Sequence, residues 1–125
     1  MAEKEIKERI QEYRAQILET LSELIAIPTV NPPGKFYRKC VHYLSEKLRS
    51  WGVRHRVAEV PHGKFPRFSV LGYWGEGRET LHFHGHYDVV PADSSSHFRA
   101  DIQGDRLYGR GSSDMKITGL GRSHA

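Results

Sequence analysis

Apolar side chains recur every three or four positions in two stretches near the start of the chain. This spacing places them on one face of a helix, so two amphipathic helices are predicted, at Glu3 to Ala26 and at Tyr37 to Trp51. Pro28 should end the first helix, and Gly52 stands where a C-terminal cap is favoured. The apolar positions are Ile6, Ile10, Tyr13, Ile17, Leu21 and Leu24 in the first stretch, and Tyr37, Val41, Leu44, Leu48 and Trp51 in the second.

The remaining chain has a different periodicity. Residues 28–34 hold three prolines and a glycine, which predicts a loop between the helices. Alternation of apolar and polar residues then predicts strands at 53–57, 67–74 and 80–84, and a hairpin of 98–102 with 106–108. Helices followed by strands predict a layered α/β domain.

Composition narrows the function classes. The 125 residues form at most one modest domain, and 38% hydrophobic with 27% charged residues is typical of a globular protein. The net charge of +4 is scattered without a basic run, which does not favour nucleic-acid binding. No export signal or membrane-spanning run is visible, so a cytoplasmic protein without a membrane partner is expected. Cys40 lies on the apolar stripe of the second helix, which predicts a buried, reduced thiol.

Three histidines and an aspartate occupy alternate positions in one cluster: His82, His84, His86 and Asp88. Alternate residues of an extended strand share a face, where such a cluster favours cation binding. His86 with Asp88 two residues later fits a metal ligand whose second ring nitrogen is held by a carboxylate. Because Gly85 can interrupt the alternation, His82 and His84 are interpreted as ordinary polar residues.

A second cluster, residues 109–116, presents an acidic side chain from a glycine-containing turn. Gly109 and Gly111 allow the backbone to turn sharply before Asp114. Taken alone, a glycine-containing loop with an aspartate is weak evidence of function, because most such loops are only turns. The presence of the histidine cluster in the same sequence strengthens the functional interpretation of this loop.

Together the two clusters resemble the M20 metallopeptidase family, which includes acetylornithine deacetylase and succinyl-diaminopimelate desuccinylase. The resemblance rests on Gly-His-Tyr-Asp-Val-Val-Pro at 85–91, followed 23 residues after Pro91 by Asp114 within Gly-Arg-Gly-Ser-Ser-Asp-Met-Lys at 109–116. It covers Glu3 to Lys116. It implies an α/β fold, the N-terminal portion of a zinc-peptidase-like three-layer catalytic domain with a mixed sheet.

The resemblance also implies roles for individual residues. His86 would be a terminal ligand of one metal ion, Asp114 would bridge two ions, and Asp88 would be the catalytic residue that orients His86. The peptide bond after Asp114 is often cis in such relatives. The cofactor would be two Zn²⁺ ions about 3.5–4 Å apart, with Co²⁺ as a possible substitute, acting on the amide bond of an N-acyl amino acid or short peptide.

The sequence departs from the family pattern after Lys116. No glutamate follows Asp114, so the family's Glu-Glu pair with its general base is missing, as are further ligands and the smaller dimerisation domain. Residues 1–116 are therefore interpreted as the N-terminal part of an M20-type catalytic domain, and 117–125 as a divergent tail after an apparent truncation. His124 is not favoured as the missing histidine. The chain alone is expected to be inactive, as a truncated or frameshifted gene product or a shortened piece.

Two alternatives stay open. One is a small metal-binding protein that uses His82, His84 and His86 on one strand, although the two predicted helices argue against the β-rich fold that such a site needs. The other is a non-catalytic remnant that pairs with a full-length relative.

Overall fold

A computed structural model describes residues 2–116. Two helices are followed by two small antiparallel sheets, and a short 3-10 helix lies between the sheets along the chain. The helices are α1 (Glu3–Ile25) and α2 (Tyr37–Ser50), the strands are β1 (Arg54–Val60), β2 (Arg67–Tyr73), β3 (Asp101–Gln103) and β4 (Arg106–Tyr108), and the 3-10 helix is Ser95–Phe98. The predicted α/β class is confirmed.

Both predicted helices are confirmed. The first ends at Ile25, two residues before the Ile27–Pro28 bond. After α2, Gly52 adopts a φ of +70° and its N–H donates to the carbonyl of Arg49 at 3.0 Å. This is the left-handed C-terminal cap that glycine adopts without steric cost.

The core lies where the C-terminal half of α1 packs against α2. Leu24, Ile27 and Cys40 form its centre, and Cys40 is fully buried as predicted. The apolar stripe of α1 is only partly covered, because Ile6 and Tyr13 are 45% and 50% exposed. The described residues provide no surface that packs against the first half of α1.

Both sheets have two strands. In the first, β1 pairs antiparallel with β2, with Val57 opposite Val70, and the pair packs against α2. In the second, β3 and β4 form the predicted hairpin around Gly104, which has a φ of +62°. The predicted start of this hairpin was wrong: residues 95–98 form the 3-10 helix, whose first turn is capped by the Ser94 hydroxyl.

The strand predicted at residues 80–84 is also wrong. No strand of the described part of the chain pairs with residues 74–88. Leu81 and Phe83 are 80% and 69% exposed, so this segment has neither a ladder of hydrogen bonds nor a buried face. Alternation alone does not make a strand when the neighbouring strand is missing.

A single parallel bridge links the loop after α1 to the segment that carries the histidine motif. Val30 pairs with Val89, the N–H of Asn31 donates to the Val89 carbonyl, and the N–H of Val89 donates to the Thr29 carbonyl, both at 2.9 Å. This bridge brings residues almost sixty positions apart into contact. Within residues 2–116, no helix is long and apolar enough to cross a membrane.

Candidate metal centre

His86 and Asp88 form a close pair beyond the parallel bridge. The Nδ1 atom of His86 lies 2.9 Å from Asp88 Oδ1 and 3.1 Å from the Asp88 backbone oxygen. Both partners are acceptors, so Nδ1 carries the proton and donates it. In a neutral ring this leaves Nε2 with its lone pair free, which is the tautomer that a metal-binding histidine needs.

Asp114 faces the other side of the same ring. Its Oδ1 lies 3.2 Å from His86 Nε2, and its side chain is 90% exposed. The Asp114–Met115 peptide bond is cis, as the family resemblance implies. The structure thus brings together His86, Asp88 and Asp114, the three site residues that the sequence selected.

The His86–Asp114 contact needs a proton or a cation between its two atoms. If Nδ1 donates to Asp88, a neutral His86 would direct its Nε2 lone pair at a carboxylate oxygen. A proton on Nε2 or a cation shared by the two atoms would resolve this repulsion. Zinc–nitrogen and zinc–oxygen bonds at a tetrahedral angle place two donor atoms about 3.3 Å apart. The observed 3.2 Å therefore fits two ligands of one ion.

These residues do not form a complete metal site. Across residues 2–116, no group of three or more His, Cys, Asp or Glu side chains is arranged to hold an ion. Asp88 already uses its carboxylate on His86 and on Asn31, which leaves His86 and Asp114 as ligands. A zinc ion bound there would need further donors.

The histidine motif is anchored by the loop after α1. The Asn31 side-chain amide donates to Asp88 Oδ2 at 3.2 Å, and the buried Thr29 hydroxyl donates to the Tyr87 carbonyl at 2.5 Å. Asn31 thereby holds the carboxylate that holds His86. Sequence reasoning missed this role, although a polar residue within a proline-rich loop was a usable signal.

The Asp114 loop is anchored through close backbone packing. A Cβ at Gly109 would lie 2.9 Å from the Ile25 side chain, and a Cβ at Gly111 would lie 2.8 Å from that of Val89. Lys116, which closes this loop, is buried, and burial lowers its pKa to about 8, with the nearby Cys40 thiol acting in the opposite direction. Sequence reasoning gave Lys116 no role.

The three site residues line an open cavity of about 280 Å³, together with Asn31 and Arg110. Arg110 lies next to Gly111 in the loop, and in the described residues its Nε atom is buried without a hydrogen-bond partner. The cavity therefore combines two carboxylates, an imidazole and a guanidinium on one side of the molecule.

His82 and His84 lie apart from this arrangement. Their rings stack on each other with centroids 6.5 Å apart, on an exposed segment outside the strands. The ring of His86 instead contacts Asp88 and Asp114. The three histidines do not converge on one point.

Comparisons with known proteins show which sequences and which fold the chain resembles. The sequence model of peptidase family M20/M25/M40 matches residues 82–125. Succinyl-diaminopimelate desuccinylases are similar over most of the chain: that of Novosphingobium aromaticivorans is 33% identical over 96 residues, or 74% of this chain, and that of Rickettsia canadensis is 30% identical over 103 residues, or 77%. The chain belongs to the M20 peptidase family. It corresponds to the N-terminal part of such a protein and spans about a quarter of the length of each of these relatives, 26% in both cases.

A solved structure gives the same fold. The dipeptidase Dug1p of Saccharomyces cerevisiae superimposes with a TM-score of 0.66 over 90% of this chain and 29% of its own, at 21% sequence identity. At that identity the likeness describes the fold alone. It supports the order of helices, loop and strands as a fold that the two proteins share.

Proposed function

We propose that the chain is the N-terminal part of the catalytic domain of a metal-dependent hydrolase that cleaves amide bonds in N-acyl amino acids or short peptides. His86 would be a terminal ligand, Asp114 the bridging ligand and Asp88 the residue that orients His86. The observation that carries this proposal is the 3.2 Å approach of His86 Nε2 and Asp114 Oδ1 while Nδ1 is held by Asp88. Its relatives named as succinyl-diaminopimelate desuccinylases support the reaction class.

The residues present would do a defined part of the chemistry. Asp88 would fix the tautomer of His86, and Asn31 would fix Asp88. Asp114, with its carboxylate exposed, has a second oxygen available for a second ion. When bound, two Zn²⁺ ions would supply Lewis acidity toward the amide carbonyl, with Co²⁺ as a substitute.

The 125 residues alone should not turn over a substrate. They contain no glutamate after Asp114 to act as a general base, and the described part offers two ligands instead of a full set. We therefore propose residues 1–116 as the N-terminal part of the catalytic domain. The tail at 117–125 and His124 lie outside the described residues. A cytoplasmic location stays a prediction from the sequence.

The reaction class and the missing base are tested by activity. Purified protein with added Zn²⁺ or Co²⁺ is expected to leave N-acetyl and N-succinyl amino acids and dipeptides unchanged. Turnover that survives purification and disappears in an Asp114→Asn variant would show that the general base is present after all.

The ligand assignment is tested by binding of Co²⁺, whose visible absorption reports its ligands. A His86→Ala variant is expected to lose the Co²⁺ spectrum, whereas a His82→Ala/His84→Ala double variant is expected to keep it. The opposite result would favour the strand site of His82 and His84.

A further inference from the structure

The carbonyl groups at the C-terminal end of α1 need a positive charge or hydrogen-bond donors, and the residues of α1 do not supply them. The last carbonyl groups of a helix lack partners within the helix and carry partial negative charge. The last turn of α1 contains no basic residue. Leu24 and Ile27, at the end of α1 and just beyond it, are 2% and 5% exposed, so water is largely excluded from their backbone.

Lys116, at the far end of the described chain, supplies both the positive charge and the donors. Its Nζ donates to the carbonyl oxygens of Leu24 and Ile27, both at 2.7 Å, across 92 and 89 positions of sequence. The residue is 2% exposed, which is rare for lysine unless the ammonium is well bound.

Lys116 also closes the loop that carries Asp114. Its backbone N–H donates to the Gly111 carbonyl at 2.8 Å. Its aliphatic chain lies over Gly111, where an added Cβ would be 3.2 Å from the Cγ and Cδ atoms of Lys116. Asp114 lies inside this closed turn, two residues from the buried anchor, while its own side chain is exposed.

We propose that Lys116 is the positioning residue for Asp114. By tying the turn at 111–116 to the end of α1, its ammonium group sets the separation between Asp114 Oδ1 and His86 Nε2. His86 is held independently, through Asp88 and the Val30–Val89 bridge. Loss of the ammonium group should therefore release Asp114 and leave the His86–Asp88 pair in place. That this positioning serves a metal site rests on the proposed function. The positioning of Asp114 by Lys116 does not.

The test uses the full chain without metal, so its outcome does not depend on zinc binding. Lys116→Met removes the ammonium group and keeps a long aliphatic side chain, Lys116→Arg keeps a cation, and Lys64→Met is the matched change at an exposed lysine. Nuclear Overhauser cross-peaks from the His86 ring to the β protons of Asp114 and of Asp88 report the two contacts separately.

Lys116→Met is expected to lose the His86–Asp114 cross-peak and keep the His86–Asp88 cross-peak. Lys116→Arg should restore part of the lost signal, and Lys64→Met should match the unchanged protein. Retention of both cross-peaks in Lys116→Met would overturn the proposal. Loss of both, together with the helical circular dichroism, would show a general structural role and overturn it equally.

A second measurement uses the unchanged protein and therefore tests the proposal even if the Lys116 variants do not fold. Cross-peaks between the Lys116 ε protons and the α protons of Leu24 and Ile27 are expected, because Nζ lies 2.7 Å from both carbonyl oxygens. Their absence in the folded protein would contradict the anchor itself.

Discussion

Two neighbouring stretches of the chain carry similar sequence signals and have different structures. Residues 85–91 pair with the loop after α1 through Val30 and Val89, and they hold His86 against Asp88. Residues 75–84 include the alternating positions 80–84, but they are exposed and have no strand partner in the described part of the chain. The difference shows that a local pattern becomes structure only where a distant segment supplies hydrogen bonds and a buried face.

Glycine substitutions should separate the two stretches most strongly. Gly111 has a φ of +85° and faces the Val89 side chain, whereas a Cβ at Gly77 meets only a carbonyl oxygen at 3.7 Å. Gly111→Val combines backbone strain with overpacking and should cost about 4 kcal/mol of unfolding free energy. Gly77→Val should change it by less than about 0.5 kcal/mol. Urea denaturation measures both changes in unfolding free energy. Equal losses in the two variants would contradict the difference between the two stretches.

Leucine truncations should give the next largest difference. Leu24 is 2% exposed in the core beneath the Asp114 loop, and Leu81 is 80% exposed. Leu24→Ala should cost about 3 kcal/mol through the lost burial and the cavity left behind. Leu81→Ala should stay within about 0.5 kcal/mol of the unchanged protein. A large cost at Leu81, measured by the same denaturation, would mean that residues 75–84 pack against the domain in solution.

Thiol chemistry compares the buried core around Cys40 with the exposed residues 75–84 by reactivity. Burial raises the pKa of Cys40 from 9.0 to about 11, with Lys116 acting in the opposite direction. At a fixed pH below 9, a thiol with a pKa of about 11 instead of 9.0 is about one hundredfold less ionised, so a disulfide reagent should react at least that much more slowly with the folded protein than with the unfolded chain. A cysteine placed by His82→Cys in a Cys40→Ala background should react at the unfolded rate.

The same shift gives a pH dependence. The folded protein keeps the Cys40 proton to a higher pH than the unfolded chain does, so the stability from this group is fully present below pH 9. It is lost as the pH rises through about 11. A Cys40→Ala variant should lose less stability over this window, and an identical decline in both proteins would contradict the assignment.

The sequence predicted those features that local chemistry determines. Both helices followed from apolar periodicity, and the hairpin followed from the turn at Gly104. His86, Asp88 and Asp114 were selected by motif and do lie together.

Features that depend on contacts between distant segments were not predictable in this way. The strand expected at 80–84 lacks its neighbour among the described residues. The acceptors of Lys116 lie 89 and 92 positions away, and the bond from Asn31 to Asp88 spans 57. Sequence spacing carries no information about such pairs until the fold brings them together.

The central claim is that His86 offers Nε2 to a metal ion while Asp88 holds the proton on Nδ1. Imidazole ¹⁵N spectra, recorded with and without Zn²⁺, test it directly. The account predicts that Zn²⁺ shifts the Nε2 resonance of His86 to the metal-bound range, leaves Nδ1 protonated, and has no such effect in an Asp114→Asn variant. Zn²⁺-dependent shifts confined to His82 and His84, or an unchanged His86 at saturating Zn²⁺, would contradict it.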